Sequence, residues 1–147
     1  EKLNHQQNAI AKLIYDVFQI SYPVEAALIG VDDFPPLQRT AKDIQGSDTS
    51  FYGYWVDESL AGVVEVLQND LVTDIWSLVV APAFFRQGIA SSLLQFAIQL
   101  FPSEMVTVET GAANGPAIKL YQKFGFEEEK RWKMEIGIEK VKFRLKR

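Results

Sequence analysis

"LVVAPAFFRQGIASSLLQFA" (residues 78–97) decides how this chain is read. It begins as an apolar, β-branched strand and turns at Pro82. It carries a single glycine at Gly88, then continues as a helix with no charged residue after Arg86. A helix that starts at the C-terminal end of a strand presents unpaired N–H groups and the positive end of its dipole. In outline that is an anion site. Gly88 lets an anion approach the backbone, Ala90 keeps the next turn slim, and Arg86 adds a positive charge. The stretch is neither a P-loop, since no G-K-[ST] follows, nor G-x-G-x-x-G. On these residues alone an ordinary turn competes with a phosphate cradle. The helix beyond sets Ile89, Ala90, Leu93, Leu94, Ala97, Ile98, Leu100 and Phe101 against a narrow polar strip of Ser91, Gln95 and Gln99, the pattern of a core helix packed on a sheet.

Upstream, residues 5–20 place Ile10, Leu13, Ile14, Val17 and Phe18 at helical spacing. "SYP" and "GVDDFPP" read as loops, with Asp32, Asp33, Pro35 and Pro36 unsuited to an element interior. A short helix is expected over residues 37–45, stopped by Gly46. "SFYGYWVD" and "SLAGVVEVLQ" read as a hairpin joined at Asp57 and Glu58, and "LVTDIWSLVVA" as a third strand. The helix from about Gln87 to Phe101 is stopped by Pro102. "SEMVTVET" is a strand, "GPAIKLYQKF" a short helix closed by Gly125 in a left-handed C′ conformation with Phe126 packing back, and the tail alternates as two more strands. The β-α-β unit over residues 71–110 implies one parallel pairing with a right-handed crossover. The fold class expected is therefore a mixed α/β sheet, mostly antiparallel, with helices on its faces.

Composition narrows the chemistry. At 147 residues and 48% hydrophobic content, the chain is long enough for one domain with a real core. There is no cysteine and one histidine, His5. That excludes disulfides, thiolate metal sites and a cysteine nucleophile, and argues against a Ser-His-Asp triad or a His-rich metal site; no metal is expected. Acid–base work falls to carboxylates, tyrosine, lysine or water. The net charge of −4 is uneven: residues 1–118 carry five basic and fourteen acidic groups, residues 119–147 ten basic and five acidic. Solvated faces explain this simply; an acidic mouth for a cationic substrate is the sharper reading. The basic tail alternates with apolar residues, so no nucleic-acid partner is expected. No transmembrane run or signal peptide is visible, so no membrane partner is expected and a soluble, cytoplasmic protein is the default.

"NGPAIKLYQKFGF" (residues 114–126) adds a second surface. Asn114 or Gly115 can cap a helix whose first turn accepts Pro116. Asn114, Ala117 and Tyr121 then share one face; Ala117 is small enough for something to lie over it, and Tyr121 stands at the far end, with a core tyrosine as the competing reading.

Together, "VVAPAFFRQGIASSLL" and "NGPAIKLYQKFGF" resemble the acyl-CoA loop, R/Q-x-x-G-x-G/A, and the later Asn-x-x-Ala…Tyr…Gly-Phe segment of the GNAT superfamily of N-acetyltransferases. The likeness covers the chain from first helix to last strand and implies a GNAT-like fold over residues 1–147. One departure is that the family's leading Arg/Gln falls on Phe85, which would serve through its N–H, with Arg86 partly replacing the side chain. The resemblance implies acetyl-CoA as co-substrate. The backbone of Leu78, Val79 and Val80 would hold the pantetheine arm in a splay between two strands. Phe85, Arg86, Gln87, Gly88, Ile89, Ala90 and Ser91 would cradle the pyrophosphate. Asn114 and Ala117 would line the far wall, and Tyr121 would act as general acid toward the departing thiolate.

The function so implied is acetyl transfer from acetyl-CoA to a primary amine by direct attack, with a non-catalytic acyl-CoA-binding module as the alternative. Among carboxylates Asp74 is the first choice of base, at the place where some family members carry a catalytic carboxylate. Glu65, Glu109 or a water chain are the other choices. Tyr22, Asp32, Asp33, Phe34 and "FYGYW" at 51–55 would shape a site for a cationic amine. The acceptor's identity and the oligomeric state, a homodimer included, stay open.

Overall fold

The computed structural model describes residues 1–31, 34–100, 103–134 and 137–146. Along the chain run β1 (Lys2–Leu3), α1 (Asn8–Ile29), α2 (Pro35–Gln38), α3 (Ala41–Gln45), β2 (Ser50–Val56), β3 (Ser59–Gln68) and β4 (Val72–Val80). There follow α4 (Ile89–Leu100), β5 (Met105–Gly111), α5 (Gly115–Lys123), β6 (Glu127–Lys133) and β7 (Glu139–Lys146). Among the described residues the strands form one sheet in the order β1-β2-β3-β4-β5-β7-β6. Only β4 and β5 pair in parallel, joined by the crossover helix α4; the other pairings are antiparallel. The mixed sheet expected from the sequence is the one found.

Both faces of the sheet are covered. In β3 seven consecutive residues, from Leu60 to Val66, are buried, as in a strand with helices on either side. Val64, Val66, Ile75 and Val106 pack with Leu93, Leu94 and Ala97 of α4 and Tyr121 of α5. On the other face Val63, Val79 and Phe51 pack under Ile14, Val17 and Phe18 of α1.

Several helix boundaries differ from those expected. α1 does not stop at "SYP" but runs through Pro23 to Ile29, where Gly30 (φ 72°) closes it and donates its N–H to the Ala26 carbonyl. Proline in a helix interior forfeits one hydrogen bond and costs about 3 kcal/mol; burial of Tyr22 and Ala26 on either side of it offsets that loss. The helix expected over 37–45 is instead two short ones. Thr40 caps the second: its hydroxyl accepts from the Asp43 N–H at 3.1 Å, and the Asp43 carboxylate accepts from the Thr40 N–H at 2.9 Å. The cap leaves Arg39 extended between the two helices. α4 begins at Ile89 rather than Gln87, and the expected end at Phe101 and Pro102 lies outside the described residues. Gly125 does close α5: the Phe126 N–H donates to the Tyr121 carbonyl at 3.0 Å and that of Gly125 to Gln122 at 3.0 Å, with Gly125 at φ 91°.

The break at Arg39 has a purpose in the core. Its guanidinium donates twice to Glu65, at 2.7 and 2.8 Å, and Glu65 is 0% exposed. The same carboxylate accepts from Thr49 Oγ1 at 2.6 Å and Ser77 Oγ at 2.8 Å. A buried carboxylate with four donors is satisfied; stripped of its cation it is not. Arg39→Ala should therefore destabilise the fold by about 3–5 kcal/mol, read as a fall in the urea midpoint. Replacing both partners by apolar residues (Arg39→Met with Glu65→Leu) should cost much less than Arg39→Ala alone.

Candidate functional site

The site begins where a ladder ends. β4 and β5 pair from Val72↔Met105 to Ile75↔Val108 and no further, although β4 continues to Val80 and β5 to Gly111. The cause lies on the other edge of β4. Ile75 faces Val66 and Ser77 faces Glu65, so Trp76 has no partner in β3. This bulge bends and over-twists β4, and beyond it the edge toward β5 is open.

Two hollows fill the opening. One, of about 510 Å³, runs from Leu78, Val79 and Val80 to the start of α4 and is walled by α1 and α5. The other, of about 280 Å³, lies among Tyr22, Glu25, Phe34, Trp76, Ser77 and Thr110. Tyr22, Glu25, Leu78, Asn114, Ala117 and Tyr121 line both, so the two meet there.

Nearly every residue expected to hold the cofactor lines the larger hollow: Leu78, Val79, Val80, Phe85, Arg86, Gly88, Ile89, Ala90, Ser91, Asn114, Ala117 and Tyr121. Gln87 does not. The loop is shaped by two left-handed residues, Arg86 (φ 64°) and Gly88 (φ 75°). A Cβ on Gly88 would meet no atom within 4 Å, so the space over its backbone is clear. The first turn of α4 closes with the Ser92 N–H on the Gly88 carbonyl at 3.0 Å, and the N–H groups ahead of it have no intrahelical acceptor. Phe85 corrects one expectation: its N–H turns back onto the Pro82 carbonyl at 3.2 Å, so its contribution to the wall is the ring, 45% exposed.

Asn114 is buried and caps α5, its Oδ1 accepting from the Ala117 N–H at 3.3 Å. Tyr121 is buried against Phe126 and Phe143, ring centres 5.8 Å from each. Burial, with smaller contributions from the Glu25 charge and Tyr22, pushes its phenol well above the usual tyrosine range. It therefore keeps its proton throughout the neutral range.

The carboxylates sort differently from the sequence reading. Asp74 lines neither hollow; it accepts from Thr107 Oγ1 at 2.7 Å and Trp76 Nε1 at 3.1 Å. Glu65 is locked in the Arg39 network. Glu109 lines the smaller hollow and pairs with Lys140 at 3.6 Å. Among the described residues the carboxylate that reaches both hollows is Glu25, concealed in the sequence because Pro23 reads as a helix stop. Its Oε1 accepts from Thr110 Oγ1 at 3.3 Å, and Thr110 Oγ1 accepts from Asn114 Nδ2 at 3.3 Å. Burial raises the Glu25 carboxyl above the ordinary range; Asn114, Thr110 and Lys140 oppose this without cancelling it.

Of the residues expected around an acceptor, Tyr22 and Phe34 line the smaller hollow, while Asp32 and Asp33 lie outside the described residues. The "FYGYW" aromatics line neither hollow, because β2 is two strands from the opening. Trp76, the bulged residue, takes that place instead. Among the described residues no three His, Cys, Asp or Glu side chains are placed to hold a metal ion, and no helix is long and apolar enough to cross a membrane.

The model of the Acetyltransferase (GNAT) family matches residues 11–126. The chain is 38% identical over 139 residues to the UPF0157 protein YqkA of Bacillus subtilis (strain 168), covering 94% of this chain and 40% of that protein. It thus spans well under half the length of that relative. It is 29% identical over 131 residues to a streptothricin acetyltransferase of Escherichia coli, covering 86% of this chain and 74% of that one. The PaiA N-acetyltransferase of Thermoplasma acidophilum, solved in complex with coenzyme A, has the same fold. Its TM-score is 0.78 at 15% identity, covering 96% of this chain and 95% of that one.

The raised Glu25 carboxyl has a stability consequence. A group whose folded value lies above its unfolded value of about 4.5 contributes fully below that value, and the contribution is lost as pH rises through the folded value. Glu25→Gln should therefore raise the melting temperature at pH 7, and the gain should shrink as pH falls toward 4.

Proposed function

Because the chain belongs to the acetyltransferase (GNAT) family, we propose that it transfers an acetyl group from acetyl-CoA to a primary amine. One observation carries the reading: a groove that ends on the first turn of α4 meets a second, carboxylate-bearing hollow at a buried tyrosine. The groove fits the cofactor at both ends. Clear space over Gly88, the free N–H groups of the first helical turn and the Arg86 charge suit a pyrophosphate. The open edge of β4 suits the amide-bearing pantetheine arm, since unpaired backbone groups there need partners.

Acetyl-CoA supplies the thioester. The chain supplies position and protons. Leu78, Val79 and Val80 hold the arm along β4, and a backbone N–H near Val80 can steady the carbonyl oxygen as it gains charge. Tyr121, protonated and placed where the hollows meet, gives its proton to the departing sulfur. A thiol of pKa about 8.5 needs only modest help of this kind. Asp74, engaged with Thr107 and Trp76, is assigned to holding the bulge rather than to proton transfer.

The acceptor enters through the smaller hollow. Tyr22, Phe34 and Trp76 offer ring surfaces and Glu25 a carboxylate, a combination suited to a cationic amine. A volume of about 280 Å³ accommodates an aminoalkyl arm rather than a folded partner. The likeness to a streptothricin acetyltransferase supports a small-molecule acceptor.

Release of free CoA thiol from acetyl-CoA in the presence of a pooled amine set tests the activity. CoA binding with no thiol release would mark a non-catalytic binding module instead. Tyr121→Phe should lower turnover by roughly ten- to a thousandfold with little change in acetyl-CoA affinity. At the cradle, Gly88→Val should weaken CoA binding measured by calorimetry while the protein stays folded, because its cost is the left-handed backbone and not a clash. Gly88→Asn, which tolerates that conformation, should keep most of the affinity.

A further inference from the structure

Among the described residues four carboxylates stand near the opening of the sheet, and three are committed. Glu65 is saturated by Arg39, Thr49 and Ser77. Asp74 is held by Thr107 and Trp76. Glu109 faces Lys140. Glu25 has only neutral hydrogen-bond partners, a long bond from Thr110 at 3.3 Å and the Asn114 amide, and borders both hollows. We propose that Glu25 is the base that removes the proton from the incoming ammonium group, with Thr110 and Asn114 as its positioning residues. This rests on the acetyl-transfer reading above.

The surroundings suit that work. Tyr22 flanks Glu25 on α1, Tyr121 faces it from α5, and Lys140 approaches from β7, itself paired with Glu109 of β5. β4 presents Trp76, Ser77 and Leu78 to this space, none of them charged. Among the described residues Lys140, ion-paired with Glu109, is thus the cation acting on Glu25. Its carboxylate can attract an ammonium group without being neutralised beforehand by a tight ion pair. Burial lifts its proton affinity above that of an ordinary glutamate, the direction that favours a general base.

Protons balance as follows. Glu25 takes one proton from R–NH3⁺, and the N–H electron pair stays on nitrogen. That pair forms the C–N bond with the acetyl carbon as the C–S bond breaks and its pair leaves on sulfur. Tyr121 gives its phenolic proton to the sulfur and recovers one from the new amide nitrogen. Glu25 returns its proton to water, so one proton is released per acetyl group moved.

The test uses the whole chain with 1,4-diaminobutane as probe amine and three variants: Glu25→Gln, Glu25→Asp and Thr110→Val. In Glu25→Gln, kcat/KM for the amine should fall at least a hundredfold at pH 7, with CoA affinity within twofold of wild type. The acidic limb of its pH profile should disappear. Glu25→Asp should restore part of the rate, and Thr110→Val should move the limb without abolishing it. Independently of turnover, 13C NMR of the unliganded protein should show a carboxyl titrating above the ordinary glutamate range. That resonance should be absent in Glu25→Gln and should shift when 1,4-diaminobutane is added. An unchanged acidic limb in Glu25→Gln, or a Glu25 resonance indifferent to the diamine, overturns the proposal. If wild type binds CoA yet acetylates no amine in the set, the acetyl-transfer reading itself falls, and the base assignment with it.

Discussion

The parallel pairing of β4 and β5 stops at Ile75 and Val108, and the candidate site is what occupies the space that follows. A sheet ordinarily gains by pairing every backbone group available to it. Here β4 continues five residues beyond its last partner in β5, with one edge unpaired in the interior of the molecule. The protein meets part of that demand itself: the Ser21 hydroxyl of α1 donates to the Val80 carbonyl at 3.2 Å. What is left is an extended edge, walled by helices, that a polar, amide-bearing chain can complete. The groove is a consequence of the bulge at Trp76 and not of any cavity carved into a packed core.

A bulge must be held, and the Arg39–Glu65 network holds this one. Ser77, the residue after Trp76, donates to Glu65 at 2.8 Å, and Trp76 itself is tied to Asp74. Glu65 is fixed by a guanidinium that arrives from between α2 and α3 and lies near the rings of Phe18 and Phe51. Buried ion pairs are weak sources of stability but strict about geometry. In this chain the strictness falls on the register of β3 against β4, which sets where the opening begins.

Much of this was legible. The β-α-β unit fixed the parallel pair, because a crossover helix between two apolar strands has few other solutions. Gly88 at a strand–helix junction, and Asn114, Ala117 and Tyr121 on one helical face, proved to line one groove although 26 residues separate Gly88 from Asn114. What could not be read were features where tertiary contacts override a local signal. Pro23 reads as a stop, yet the burial of Tyr22 and Ala26 carries α1 past it, and so brings Glu25 to the site. Glu65 amid valines reads as a group pointing into a cleft, since nothing local announces that Arg39, 26 residues upstream, will meet it. A β-bulge leaves no pattern in a strand as apolar as β4, so Trp76 was indistinguishable from an ordinary outward residue.

The two proton-handling groups are coupled in a direction that helps the proposed reaction. Glu25 and Tyr121 border the same junction, and both are raised chiefly by burial. The negative charge on Glu25 further raises the Tyr121 phenol, so the tyrosine holds its proton most tightly while Glu25 is ionised. Once Glu25 has taken the ammonium proton that charge is gone, and the phenol becomes the better donor at the stage when sulfur must leave. Low local polarity strengthens such an interaction relative to water. In the proposed reaction proximity therefore orders the two transfers: removal of the proton from the amine would prepare delivery of the proton to the thiolate, without any movement of the backbone.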